Sequence, residues 1–368
     1  MKSLNILTLD GGGMRGLYTA SVLETLAQRF AQKRGYVELD IGKGFDLILG
    51  TSTGAILASG LAYGTPISTI KKFYSQRGQE IFSDPMPDAE PDFKLSKRLQ
   101  FLRWCFRHRS KPGSDGLALK SALHDIFDNT TLGELFEKRE IGLCITATDL
   151  HQHNPRIFKT AHLGENFRRD DNLHLVDVCL ASSAAPIYLP LSSSNGYSDG
   201  ESCVYADGGL WANNPVVLGL TEALAIADKD QPIRILSIGT CPAPSGEVPD
   251  DLQRGLLDWK AGASALELSM NAQASAANHQ AKKLIEQLNR QEVDIELYRC
   301  EETTPSKEMV KSIGLDRADD KAIKALLRHG AEDGTNAFKH VQASSNQGKL
   351  LEEIFSRMPP ISETKPLN

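Results

Sequence analysis

The chain has 368 residues, 40% of them hydrophobic and 24% charged, with a formal net charge of −6. That length can bury a large core, the composition is that of a globular protein, and the acidic balance gives no ground for expecting a nucleic-acid polymer as partner. Six cysteines, none in a CxxC pair and the closest (Cys179 and Cys203) 24 positions apart, argue against zinc ribbons and redox pairs and for reduced core thiols.

Residues 4–9 form an apolar run ended by Asp10, too short for a secretion signal, and predict a first buried strand. A glycine loop follows, then a helix over 17–32, a second buried strand at 45–49 and a helix at 53–63. The uncharged stretch 47–70 is long enough to cross a bilayer, but its four Gly, one Pro and many Ser/Thr make a buried strand, turn and helix the better reading. The expected location is therefore cytoplasmic. Residues 84–92, rich in Pro and acid, read as a loop. After them, residues 94–111 hold seven Lys/Arg and no acid, with Leu95, Leu99, Leu102 and Phe106 at helical spacing. Further strands are predicted at 141–147, 156–159 and 233–238. A helix over 216–227 is expected to start from Asn213-Asn214 with Pro215 in its first turn. Residues 263–288 predict a long Ala-rich helix, packed on the core or serving as the interface of a homo-oligomer. Two shorter helices follow Pro305, and the end from Pro359 reads as disordered. Strands alternating with helices predict an α/β protein with a mainly parallel central sheet.

Two glycine motifs carry the chemistry. Gly50-Thr51-Ser52-Thr53-Gly54 follows a strand and opens a helix, which would put Ser52 on a sharp turn with its hydroxyl exposed at the sheet edge. Read blandly, it is a Gly/Ser turn that starts a helix. Asp10-Gly11-Gly12-Gly13-Met14-Arg15-Gly16 likewise joins a strand to a helix, and its amides suit an anion. For ester hydrolysis that anion is the tetrahedral oxyanion, with Gly11, Gly12, Gly13 and Met14 as candidate donors. Arg15 would add charge there or hold a lipid phosphate. The rival reading, a nucleotide-phosphate cradle, fits neither G-x-G-x-x-G nor the P-loop spacing. A serine nucleophile needs a base. Ser52 follows only two strands, too early for an α/β-hydrolase, and His151, His153, His162 and His174 sit in no recognisable signature. Asp207, in Asp207-Gly208-Gly209, is the better candidate, although Asp-Gly-Gly is also a common hairpin turn. As a base it would need burial to raise its pKa.

DGGGMRG, GTSTG and DGG in this order resemble the patatin-like phospholipases, as do Ala181-Ser182-Ser183-Ala184-Ala185-Pro186 and Leu236-Ser237-Ile238-Gly239-Thr240. The likeness spans about residues 4–240. It implies a three-layer α/β/α fold, a Ser52–Asp207 dyad in place of a triad, the glycine loop as oxyanion hole, an acyl-enzyme intermediate, membrane phospholipid as substrate, and no cofactor or metal. The region from Phe158-Lys159-Thr160 to Trp211-Ala212-Asn213-Asn214-Pro215, and the overall length, also resemble the bacterial cyclic-dinucleotide-activated effectors of anti-phage defence, which implies a cyclic dinucleotide activator. On this reading residues 1–300 are the catalytic domain with a basic flap or insertion at about 84–115, 301–358 a helical extension packed on it, and 359–368 a tail.

Three readings of the basic stretch stay open: a flap through which Arg103, Arg107 and Arg109 meet anionic lipid at the inner membrane surface, a phosphate-binding site for a nucleotide messenger, or a solvated helix packed through its apolar side. A hydrolase of soluble esters or thioesters, and a non-catalytic binding module, are the alternatives to a phospholipase.

Overall fold

Successive residues of the short apolar strands point to opposite faces of the sheet, and here both faces are covered. Leu7, Leu9, Ile48, Leu143 and Leu236 enter one core, and Leu4, Ile6, Leu47, Leu49 and Ile235 enter the other. The computed structural model describes residues 1–87, 95–164, 167–194, 203–241, 252–310 and 312–363. In order the chain forms β1 (Leu4–Leu9), α1 (Gly16–Arg34), β2 (Leu47–Thr51), α2 (Thr53–Tyr63), α3 (Ile67–Ile81) and α4 (Leu95–Arg107). It continues through α5 (Leu117–Phe127), α6 (Leu132–Arg139), β3 (Gly142–Asp149), β4 (Asn154–Lys159), α7 (Leu175–Ser182), β5 (Ser192–Ser194) and β6 (Cys203–Asp207). Then come α8 (Gly209–Ala212), α9 (Val216–Ile226), β7 (Ile233–Ile238), α10 (Ala263–Asn289), β8 (Ile295–Arg299), α11 (Lys307–Val310), α12 (Asp320–Gln342) and α13 (Asn346–Ser356).

The strands lie in the order β5-β6-β3-β2-β1-β7-β8, with β4 paired to β3. The five central strands β3, β2, β1, β7 and β8 are parallel, and β4, β5 and β6 join antiparallel. One core is closed by α1, α2, α3, α5, α7, α12 and α13, and the other by α9 and α10. This is the expected three-layer α/β/α arrangement. No helix among the described residues is long and apolar enough to cross a membrane.

The two helices expected after Pro305 are α12 and α13, both shorter than α10, with the four-residue α11 before them. The 23 residues of α12 are capped by Asp319, whose side chain accepts from the amides of Lys321 and Ala322, and this helix packs along α1. Other expectations need correction. Residues at the start of the predicted tail lie in the fold: Pro360 bridges Leu39, and the Asp40 amide donates to Pro359 O (2.8 Å). Residues 364–368 of that tail, and 88–94 of the basic flap, lie outside the described residues. The glycines after Asp207 open α8, so Asp-Gly-Gly is not a hairpin turn. In α4 the packed side is Phe101 and Trp104, buried with Met86 and Ala263, whereas Leu99, Leu102 and Phe106 are exposed (46%, 44% and 67%). Of the three readings of this stretch, packing through the stripe of Leu99, Leu102 and Phe106 is the one that this arrangement does not match. Five of the six cysteines are buried and all are free thiols.

Candidate active site

The parallel strands β1 and β2 end side by side, Leu9 opposite Gly50, so the two loops that follow them meet at one sheet edge. At the end of β2, Ser52 takes φ 54 and ψ −121, a left-handed conformation that is costly for any residue with a side chain. The turn is held rather than loose: the Ser52 amide donates to Ser182 Oγ (2.8 Å), and Gly54 lies so close to β1 that a Cβ would collide with the Leu9 carbonyl oxygen. These contacts keep the strained geometry and aim the hydroxyl away from the sheet.

Asp207 reaches the same place from the end of β6. Ser52 Oγ donates to Asp207 Oδ2 at 2.7 Å, across 155 positions of sequence. The Gly209 amide donates to Oδ1 (2.6 Å), and Asp207 is 3% exposed. Burial raises its pKa to about 6, against the opposing effect of the hydrogen bonds from Ser52 and Gly209. A carboxylate with that value is a better proton acceptor than a free Asp and is still mostly ionised at neutral pH.

The glycine loop lies beside the pair but offers fewer donors than expected. The Gly11 amide donates to Asn213 O (2.9 Å) and the Met14 amide to Leu315 O (2.7 Å), so neither can serve an oxyanion in this arrangement. The amides of Gly12 and Gly13 have no partner among the described residues. The loop is clamped by Thr240 Oγ1 donating to Gly11 O (2.9 Å), and by Arg299, which grips both oxygens of Asp10 (2.8 and 2.7 Å). Gly13 has φ +57, and a Cβ there would collide with the Leu315 carbonyl oxygen. Arg15 is also otherwise occupied. It is 6% exposed, and its guanidinium faces Gly12 O (3.4 Å) and Glu267 (3.3 Å), which does not suit it to hold a lipid phosphate.

Ser52 and Asp207 open on a cavity walled by apolar side chains, including Ile56, Phe73, Leu189, Leu266, Met270 and Leu315. Its volume is about 50 Å³, far below the roughly 300–1,000 Å³ of pockets that hold drug-sized ligands. Ser183 lines it too, with a buried hydroxyl that has no partner among the described residues. Arg103, Arg107 and Arg109 are not part of this wall. Arg103 lies on the exposed side of α4, Arg107 pairs with Asp84 (3.2 Å), and Arg109 covers the Phe106 ring (4.3 Å). The buried face of α4 packs against Tyr188, which does line the cavity.

Ser182, Ser183, Asn213 and Thr240 were visible in the sequence only as members of motifs. Leu315 and Arg299 had no local signal, because their roles depend on contacts across 289 positions or more. Among the described residues Cys144, His162 and Glu222 could hold a metal ion, their ligand atoms lying within 4.8 Å of one another, but none of them lines the cavity beside Ser52.

A profile of the family described as "Patatin-like phospholipase" matches residues 7–219. The chain is 33% identical over 284 residues to a cGAMP-activated phospholipase of Pseudomonas aeruginosa, covering 76% of this chain and 75% of that protein. It is 31% identical over 363 residues to a cGAMP-activated phospholipase of Vibrio cholerae, covering 96% of each. A third, from Escherichia coli, is 29% identical over 376 residues, covering 98% of this chain and 95% of that protein.

Proposed function

The chain belongs to the patatin-like phospholipase family and is a hydrolase of lipid esters; from that premise we propose that it cleaves acyl esters of membrane phospholipids through a Ser52–Asp207 dyad. The observation that carries this reading is the 2.7 Å hydrogen bond from Ser52 Oγ to a buried carboxylate. Asp207 takes the Ser52 proton as Oγ attacks the acyl carbonyl, and the amides of Gly12 and Gly13 hold the oxyanion. The tetrahedral intermediate collapses, Asp207 returns the proton to the departing lysolipid oxygen, and the acyl group stays on Ser52. Water, deprotonated by Asp207, then attacks the acyl-enzyme and releases the fatty acid. The apolar walls suit an acyl chain.

The outward stripe of Leu99, Leu102 and Phe106, flanked by Arg103, Arg107 and Arg109, supports docking on an anionic bilayer. Each cation near such a surface contributes about 1 kcal/mol, and the apolar side chains enter the interface. We read the small cavity as a resting state that a cyclic dinucleotide opens, by likeness to relatives named as cGAMP-activated. The test is hydrolysis of phospholipid vesicles by wild type and Ser52→Ala, with and without cGAMP. Turnover that appears with the nucleotide and falls on the order of 10⁴-fold or more in the variant is expected. Retained turnover in Ser52→Ala would remove the dyad from the reaction, and equal wild-type rates with and without nucleotide would remove the switch.

A further inference from the structure

A second cavity, of about 420 Å³, lies between the stretch 303–309 with Ser312 and the exposed side of α12. Neither Ser52 nor Asp207 touches it, and its volume is in the range of small-molecule sites. We infer that this cavity is the binding site of the activating ligand, a nucleotide phosphodiester, and that its occupancy is relayed to the glycine loop. The inference rests on the reading of the chain as a ligand-switched lipid hydrolase.

The lining fits that chemistry. Thr303, Thr304, Ser306 and Ser312 supply hydroxyls for sugar and phosphate oxygens, and Lys321 and Arg328 supply positive charge. The two cations are seven residues apart on α12, two turns or roughly 10 Å along the helix, so they can meet separate phosphates of one ligand. Among the described residues each is held by an exposed carboxylate: Lys321 by Glu308 at 3.9 Å and Arg328 by Glu332 at 3.1 Å. Such surface pairs are weak, and a phosphodiester can replace the carboxylate. Pro305, Met309 and Ala325 add an apolar surface for a base.

The connection to the active site is covalent and short. The segment that walls this cavity runs on to Leu315, whose carbonyl accepts from the Met14 amide and whose side chain lines the catalytic cavity. Asp316, the next residue, accepts from the Met86 amide (2.6 Å), and Met86 packs under α4. A second route leaves the other wall. His329 binds Thr303 O (2.8 Å), and Thr303 Oγ1 donates to Asp333 (2.7 Å). Asp333 in turn accepts from Tyr18 Oη (2.7 Å) on α1, just after the glycine loop. A ligand that draws the stretch 303–309 and Ser312 toward α12 thus acts on the Leu315 wall of the catalytic cavity and on the loop amides together.

The test pairs a binding measurement with turnover. Calorimetric titration of cGAMP into the full chain is compared among wild type, Lys321→Glu/Arg328→Glu and Ala325→Trp, with inorganic phosphate and ATP as controls. Basal hydrolysis of a soluble short-chain ester should be unchanged in both variants, because neither touches the catalytic groups. cGAMP binding is expected to weaken by about a hundredfold in the double variant, roughly tenfold for each charge-assisted contact, with activation lost at nucleotide concentrations that saturate wild type. Wild-type affinity in both variants, or equal affinity for ATP and phosphate, overturns the inference while leaving a nucleotide switch intact. Lipid hydrolysis by a wild type that binds no cGAMP overturns both the switch and this site but not the dyad. Binding that the variants abolish, in a protein that hydrolyses no lipid, supports the site and refutes the enzymatic reading.

Discussion

Replacing Asp207 by Asn separates what the buried carboxylate does for the chemistry from what it costs the fold. Burial lifts its pKa from 3.8 to about 6, while the unfolded chain keeps the ordinary value. Between those values the folded state holds the extra proton. Stability therefore falls as pH rises through that window, and the loss is complete above about pH 6. At 1.36 kcal/mol for each tenfold change in acidity, a rise from 3.8 to about 6 amounts to roughly 3 kcal/mol. Asn keeps an oxygen for the Gly209 amide and has no charge to desolvate. Asp207→Asn should therefore stabilise the protein by up to roughly 3 kcal/mol at pH 8, and by little near pH 3.5, where both side chains are neutral. With about 2 cal/mol/K of unfolding entropy per residue over 368 residues, that is a Tm increase of about 4 °C. Calorimetry of both proteins across this pH range measures the difference, and ester turnover should fall by about 10²–10⁴ in parallel. A variant no more stable than wild type at pH 8, or a gain that does not grow with pH, refutes the claim that the site holds a desolvated carboxylate. Retained turnover refutes its role as base.

The same group sets the pH profile: kcat/KM for a neutral ester should rise through about pH 6 and level off above it, since only ionised Asp207 accepts the serine proton, and a profile flat from pH 5 to 8 would exclude it. Gly13→Ala places a methyl group against the Leu315 carbonyl at φ +57, so a loss of about 1–3 kcal/mol in thermal unfolding and a fall in kcat are expected, and a neutral outcome would mean that the loop is not held as described. Reversing Arg103, Arg107 and Arg109 to Glu should weaken sedimentation with anionic vesicles by at least about a hundredfold, from roughly 1 kcal/mol per charge, and leave turnover of a soluble ester unchanged. Unaltered sedimentation would leave α4 without a membrane role.

The strands β1, β2, β3, β4 and β7 and the serine elbow were legible in the sequence because each rests on a local rule, whereas Asp207 was reached by elimination and by the family resemblance, and β5, β6 and β8 went unread. A six-residue apolar run ended by Asp10 is a buried strand, and G-x-S-x-G between strand and helix is an elbow; β1 and α2 begin and end at the residues expected. What stayed hidden depends on partners distant in sequence. The Gly11 and Met14 amides look as available as those of Gly12 and Gly13 until Asn213 and Leu315 are brought against them. Arg15 looks like a free cation until Glu267 and the Gly12 carbonyl surround it. In α4 two apolar sets share one helix, and periodicity alone cannot tell that Phe101 and Trp104 pack while Leu99, Leu102 and Phe106 face outward. The helices α3 and α5 to α7 also went unread.

The geometry further restricts how a switch on this enzyme could work. Ser52 and Asp207 are already in hydrogen-bond contact and the amides of Gly12 and Gly13 have no partner among the described residues, so on the proposed mechanism activation need not assemble the catalytic groups. What the described residues leave beside Ser52 is about 50 Å³, less than an acyl chain needs. The side chains that fill the space come from separate places, Leu266 and Met270 from α10, Leu189 from the segment beneath α4, and Leu315 from the segment that walls the second cavity. Of these, Leu315 alone is tied by its backbone to the oxyanion loop, through the Met14 amide. On the proposed mechanism, moving it would enlarge the space for an acyl chain, and because Gly13 lies against the same carbonyl, it would also reset the amide assigned to the oxyanion. On the proposed mechanism access and transition-state stabilisation would therefore share one residue, and a shift of Leu315 would act on both.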